Sequence, residues 1–167
     1  RDKGYQPIRW LGRRDLTTQD LALRPNFNPI LIREGALGNG LPERDMTVSP
    51  QHRMLISSWQ SEMLFGEREV LAAAIHLVND HDIIRIRPKE VSYIHLMLDE
   101  HEVILGNGAW TESFQLGPQM FSEMEDAQAT ELLALFPELE QDAFLPAARM
   151  SLKRHEFAIL NRSLEES

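Results

Sequence analysis

The chain has 167 residues and a mass of 19.2 kDa, enough for one domain with a sizeable core and hardly enough for two. A net charge of −9 and a pI of about 5.1 argue against a nucleic-acid-binding surface, which needs clustered Lys and Arg to release counterions. The absence of cysteine excludes a disulfide framework, a thiolate zinc site and a thiol nucleophile within these residues.

The start, Arg1-Asp2-Lys3-Gly4, is polar, unlike a signal peptide, and leads into a strand-like run from Tyr5 to Leu11. Short apolar runs broken by Gly, Pro, Asn and Asp then continue to about residue 113 and predict β-strands. Pro29 to Arg33 is one, followed by a Gly-rich turn from Gly35 to Gly40. Met46 to Val48 and Met54 to Ile56 flank a Ser-Pro turn. Leu71 to Val78 is Ala-rich and predicts a short helix. The longest apolar run, Val70 to Val78, contains His76 and falls well short of the ~20 residues that span a bilayer, so no membrane insertion is expected. Ile83 to Arg87, Val91 to Leu98 and Val103 to Leu105 follow as strands. The last enters Asn107-Gly108, a hairpin signal because both residues tolerate positive φ.

The charge is uneven, +2 over residues 1–50, −5 over 51–113 and −6 over 114–167. From residue 114 the period turns helical. Ala129, Leu132, Leu133 and Phe136 form one stripe, which Asp126 is placed to cap and Pro137 to stop. A second helix is expected from Pro146 or Ser151 to about Asn161, with Leu152, Ile159 and Leu160 on one face, before a frayed end at Ser163 to Ser167. The reading is a mostly-β domain over 1–113 and a helical C-terminal extension over 114–167.

Two constellations could carry chemistry. In Thr47-Val48-Ser49-Pro50-Gln51-His52, a hydroxyl precedes an imidazole by three residues on a Pro-kinked turn. Such a turn can aim Ser49 Oγ and a His52 ring nitrogen at one peptide group, although Ser-Pro turns with a surface histidine also arise by accident. The second runs from Tyr93 to His101. As a single strand it would place His95, Met97, Asp99 and His101 on one face, with the carboxylate able to orient a ring or raise its pKa. A zinc reading would use His52, His95 and His101 with Asp99, but their spacing matches no strong metal motif. Gly35-x-x-Gly38-x-Gly40 lacks the residues of a phosphate-binding loop, so no cofactor is expected. His76 is expected to be a satisfied packing residue, His81 to lie in a polar turn and His155 to be exposed. Trp10, Trp59 and Trp110 are too scattered to form a base-stacking platform.

Four segments in order resemble the bacterial Hint (Hedgehog/intein) self-processing domains. They are Gln6-Pro7-Ile8-Arg9-Trp10-Leu11-Gly12, Val48-Ser49-Pro50-Gln51-His52-Arg53, and His101-Glu102-Val103 with Asn107-Gly108-Ala109-Trp110-Thr111-Glu112-Ser113. The fourth is the tail, Glu131 to Leu139 with His155-Glu156. The resemblance implies a curved, mostly-β Hint-type domain that cleaves itself at its N-terminal junction by an N–S or N–O acyl shift. The family's hydroxyl-x-x-His motif falls on Ser49, in place of the more usual Thr, and on His52. His95, Asp99 and His101 are the candidates in the family's last block, where Asp or His assists the first step. Inteins end that block with His-Asn. Here the pair is Glu112-Ser113, so Asn cyclisation and full splicing are not expected.

The family's nucleophile, a Cys or Ser, would lie upstream of Gln6. The resemblance therefore implies that a missing N-terminal segment or a partner chain completes the β domain. It also suggests a secreted or cell-surface protein. The alternative is a Hint-fold module without catalysis, serving assembly or attachment in a larger protein.

Overall fold

The computed structural model describes residues 1–114 and 147–165. Its described part is mostly β, in three sheets with a C-terminal helix, as expected from the sequence. The stripe from Ala129 to Phe136 lies outside the described residues. No helix among the described residues is long and apolar enough to cross a membrane.

Strands β1 (Trp10–Leu16) and β7 (Val91–Met97) form a two-stranded antiparallel ribbon. The run at Tyr5 to Leu11 is therefore not the first strand. Residues 1–9 are exposed, and pairing begins where Trp10, Gly12 and Leu16 alternate inward. Trp10 folds across Gly12, where an added Cβ would meet the indole ring at 2.1 Å, so only glycine fits beneath it. Helix α1 (Thr18–Leu23) follows, opened by a capping box between Thr17 and Asp20 that the sequence reading passed over.

Strands β2 (Ile30–Ile32), β3 (Met46–Val48) and β6 (Ile83–Arg85) form a three-stranded sheet in the order β3-β2-β6. Its inward side chains, Ile30, Ile32, Val48 and Ile83, build an apolar core with Met54, Ala74 and Ala109. The turn before β6 is held by Asn79 Oδ1, which accepts from the amides of His81, Asp82 and Ile83 at 3.0 Å each.

The five-stranded sheet runs β10-β5-β4-β9-β8. Strand β4 (Arg53–Ser57) leads through helix α2 (Trp59–Phe65) to β5 (Glu69–Ala73). The segment expected as a helix over Leu71 to Val78 is thus a strand to Ala73, with helix α3 confined to Ala74–Leu77. Val70, Leu71, Ala72 and Ala73 are all buried, and a strand covered on both faces loses the alternation that marks a strand in sequence.

Strands β8 (Val103–Gly106) and β9 (Ala109–Glu112) form the expected hairpin, with Asn107 and Gly108 at φ 49° and 77°. Strand β10 (Met150–Leu152) lies parallel to β5, and helix α4 (Arg154–Glu165) follows. The second helix accordingly starts at Arg154, where Glu156 accepts from the Lys153 amide at 2.7 Å, and continues to Glu165, so Ser163 and Leu164 do not fray as expected, while Glu166 and Ser167 lie outside the described residues. Its apolar face differs from expectation. Phe157 and Leu160 are buried against Val70, Ala72 and Leu152, with Leu164 packed beside them, while Ile159 is exposed.

Candidate active site

The Ser49-Pro50-Gln51-His52 turn joins β3 to β4 and is closed by the His52 amide donating to Ser49 O at 3.1 Å. Helix α3 ties it down from one side. The Ile75 amide donates to Pro50 O at 3.0 Å and the Ala74 amide to His52 O at 2.8 Å.

Strand β9 holds it from the other side, with side chains instead of backbone. The β4–β9 ladder has a single register pair, Met54 with Thr111. One residue earlier, the polar groups of Arg53 turn towards β9 and meet two side chains. Its amide donates to Glu112 Oε1 at 2.9 Å, and its carbonyl accepts from the Thr111 hydroxyl at 2.9 Å. Thr111 and Glu112 complete the strand where the ladder stops, which accounts for buried polar residues at this position.

The same two residues orient His52. Thr111 Oγ1 is in contact with His52 Nε2. A hydroxyl has one proton, and Thr111 donates it to Arg53 O, so Thr111 accepts from the imidazole. This assigns the proton of the neutral ring to Nε2 and leaves the lone pair on Nδ1. Burial lowers the His52 pKa; Glu112 pulls it back up, and His95 and Arg53 push it further down. His52 is a neutral base near neutral pH.

Glu112 is also gripped by the Arg53 guanidinium, at 3.0 Å from Oε2. Burial pushes its carboxyl up, but His101, Arg53 and His52 outweigh burial and hold it below its ordinary value. His101 is buried, with Nε2 at 3.3 Å from Glu112 Oε2 but without the alignment of a hydrogen bond, which makes this an electrostatic contact. Its Nδ1 accepts from the Ala148 amide at 3.0 Å, so the chain entering β10 is fastened to the cluster.

The expected single strand from Tyr93 to His101 is broken. Strand β7 ends at Met97, Asp99 and Glu100 lie outside any strand, and β8 begins at Val103 in a different sheet. His95 stays on the inward face of β7, edge-on to Phe114 at 4.7 Å, with its pKa lowered by burial and by Arg14. It is near enough for its charge to affect His52. Asp99 is exposed and takes a bidentate pair from Arg9 at 2.8 and 3.0 Å, away from the cluster. The structure thus gathers His52, His95 and His101 around β4 and β9, places Ser49 at the head of the turn, and leaves Asp99 outside.

Among the described residues no group of three or more His, Cys, Asp or Glu is arranged to hold a metal ion. His76 departs from its expected role, since its Nδ1 is buried without a hydrogen-bond partner.

The sequence reading did not single out Thr111 or assign Glu112 a site role. The available signal was three consecutive polar residues after a hairpin, Thr111, Glu112 and Ser113. They are 4%, 8% and 1% exposed, where an alternating strand would turn one residue in two outward.

The mostly-β architecture agrees with the comparison of the chain against family models. The model of the Hint domain matches residues 1–118, and the chain belongs to the Hint domain family. No curated protein and no solved structure gives a significant match.

Proposed function

We propose that the chain is the core of a self-cleaving Hint domain, in which His52 handles the proton of an N–S or N–O acyl shift. The observation that supports this is the tautomer of His52. A neutral imidazole with its proton committed to Thr111 has a single vacant basic atom, Nδ1.

In the reaction, a Cys or Ser side chain supplied at the family's first position gives its proton to Nδ1 as it attacks the preceding carbonyl. The resulting imidazolium returns that proton to the departing amide nitrogen. The C–N bond breaks and a thioester or ester replaces the amide. Glu112 favours the transient imidazolium, because a carboxylate near the ring stabilises its positive charge. Ser49 orients the leaving nitrogen from the same turn, and His95 and His101 act as supporting groups around the ring. The scheme requires a nucleophile-bearing segment or partner chain to complete the domain.

The test is the protein expressed with the residues its gene encodes before Arg1, treated with hydroxylamine or a thiol and read by mass spectrometry. Cleavage at the N-terminal junction is expected, and His52→Ala should slow it by about 100-fold or more. An intact mass under hydroxylamine, or cleavage indifferent to His52→Ala, overturns the proposal.

One observation favours the second reading, a Hint-fold module without catalysis. Ser113, which stands where inteins have Asn, is committed to structure. Its hydroxyl accepts from the Glu102 amide at 2.9 Å, and its own amide donates to Glu102 O at 2.8 Å. An intact mass would leave this reading standing.

A further inference from the structure

A cavity of about 820 Å³ is lined by helix α3, the Ser49–His52 turn and helix α4. Its α4 wall includes Arg154, Phe157 and Arg162, which the helical period brings to one face. The lining also includes Ile75 and His76 of helix α3 and Gln51 of the turn.

The charge here is one-sided. Among the described residues no carboxylate lines the cavity, and neither Arg154 nor Arg162 has an ion pair. On a chain of net charge −9, two guanidinium groups with no ion pair among the described residues stand beside one hollow. His76 adds an unsatisfied buried nitrogen, a feature that native interiors seldom leave without a partner. Burial lowers its pKa, and the charges of Arg154 and Arg53 lower it further. Arg154 and Arg162 make the lining cationic, while Phe157 and Ile75 supply apolar surface.

We propose that this cavity is a binding site for a small organic anion, a carboxylate on an apolar body, with its charge at Arg154 and its body against Phe157 and Ile75. The volume falls within the usual range for small-molecule sites, and a guanidinium matches a carboxylate in a planar, two-point contact. The proposal does not depend on self-cleavage, and its test is binding alone.

The experiment is a titration of the full chain, labelled with nitrogen-15, with benzoate as the probe and benzamide and inorganic phosphate as comparators. Benzoate is expected to saturate with Kd on the order of 1 mM or below, shifting the His76 ring and the residues of the α3 and α4 walls. Arg154→Ala should weaken binding by about tenfold or more, and Arg162→Ala by less. Both arginines are exposed, so the variants should melt like the parent chain.

Benzamide binding as tightly as benzoate overturns the anionic site, and phosphate binding as tightly overturns the apolar-bodied class. Shifts that appear elsewhere, or that survive Arg154→Ala unchanged, overturn the location. Loss of binding with an unchanged melt supports the proposal.

Discussion

The core beside the three-stranded sheet and the junction of β4 with β9 lie close together and are built on opposite principles. The first is wholly apolar, with Ile30 and Ile32 fully buried, and needs only shape and volume. The second buries Thr111, Glu112, Ser113 and His101, each held by another polar group or by backbone. The apolar core sets the fold, and the polar junction fixes one imidazole in one tautomer. A buried carboxylate is a weak source of net stability, so its retention points to orientation.

Substitutions should separate the two. Glu112→Ala removes the acceptor of the Arg53 amide and one partner each of the Arg53 guanidinium and His101, and is expected to destabilise by about 3 kcal/mol. Ile30→Ala should cost a similar amount, about 2–5 kcal/mol, through the cavity it opens. Urea unfolding measures both. The histidine titration distinguishes them, since only Glu112→Ala should move the His52 pKa, and it should move it further down. An unmoved His52 pKa in Glu112→Ala would break the contrast.

Acid should act on the junction and spare the apolar core. His52 has a lowered pKa in the fold, so the unfolded chain binds the extra proton as pH falls below 6.5, and stability declines from there. The Glu112 carboxyl is also lowered in the fold, so its contribution is present above 4.5 and disappears as pH falls through its folded value. His52→Gln should lessen the first decline, to which His76 and His95 also contribute, and Glu112→Gln should lessen the second, shared with Asp15, Asp20 and Glu69, whereas Ile30→Ala should displace the whole curve without changing its shape. Chemical denaturation across pH reads this.

Thr111→Val is a smaller change, expected to cost about 1–3 kcal/mol, because Arg53 O loses its donor and His52 Nε2 its acceptor. It should also release the tautomer, visible as a proton redistributed between Nδ1 and Nε2 in nitrogen-15 spectra. The smallest effect belongs to Asp99→Ala, within about 0.5 kcal/mol in a thermal melt, since its pair with Arg9 is exposed.

Much of the mostly-β layout was legible, because short apolar runs broken by Gly, Pro, Asn and Asp mark strands and the turns between them. Met46–Val48 was read at its true bounds, and the Asn107-Gly108 hairpin from turn chemistry alone. Helix α2 was hidden, although Ser58 caps it and Gly66 ends it in the left-handed region. It buries Gln60 and Ser61 and exposes Trp59 and Met63, the reverse of an amphipathic pattern. At the site, the turn that presents His52 is local and was readable. The partners that fix its ring come from 59 residues further along, and only strand pairing brings them there. His101 and Asp99, two residues apart, were read as neighbours on one face. A change of sheet between β7 and β8 sends one inward and the other to solvent.

The parallel pairing of Met150–Leu152 with β5, together with the Ala148 amide on His101, has a consequence for how the chain tolerates shortening. A protein truncated after Phe114 would uncover one flank of a strand whose Val70, Leu71 and Ala72 never meet water, and would strip the innermost imidazole of its donor. Such a stump would offer neighbouring molecules a greasy seam to zip onto, so the final residues act as a hem that keeps the sheet from fraying into aggregates.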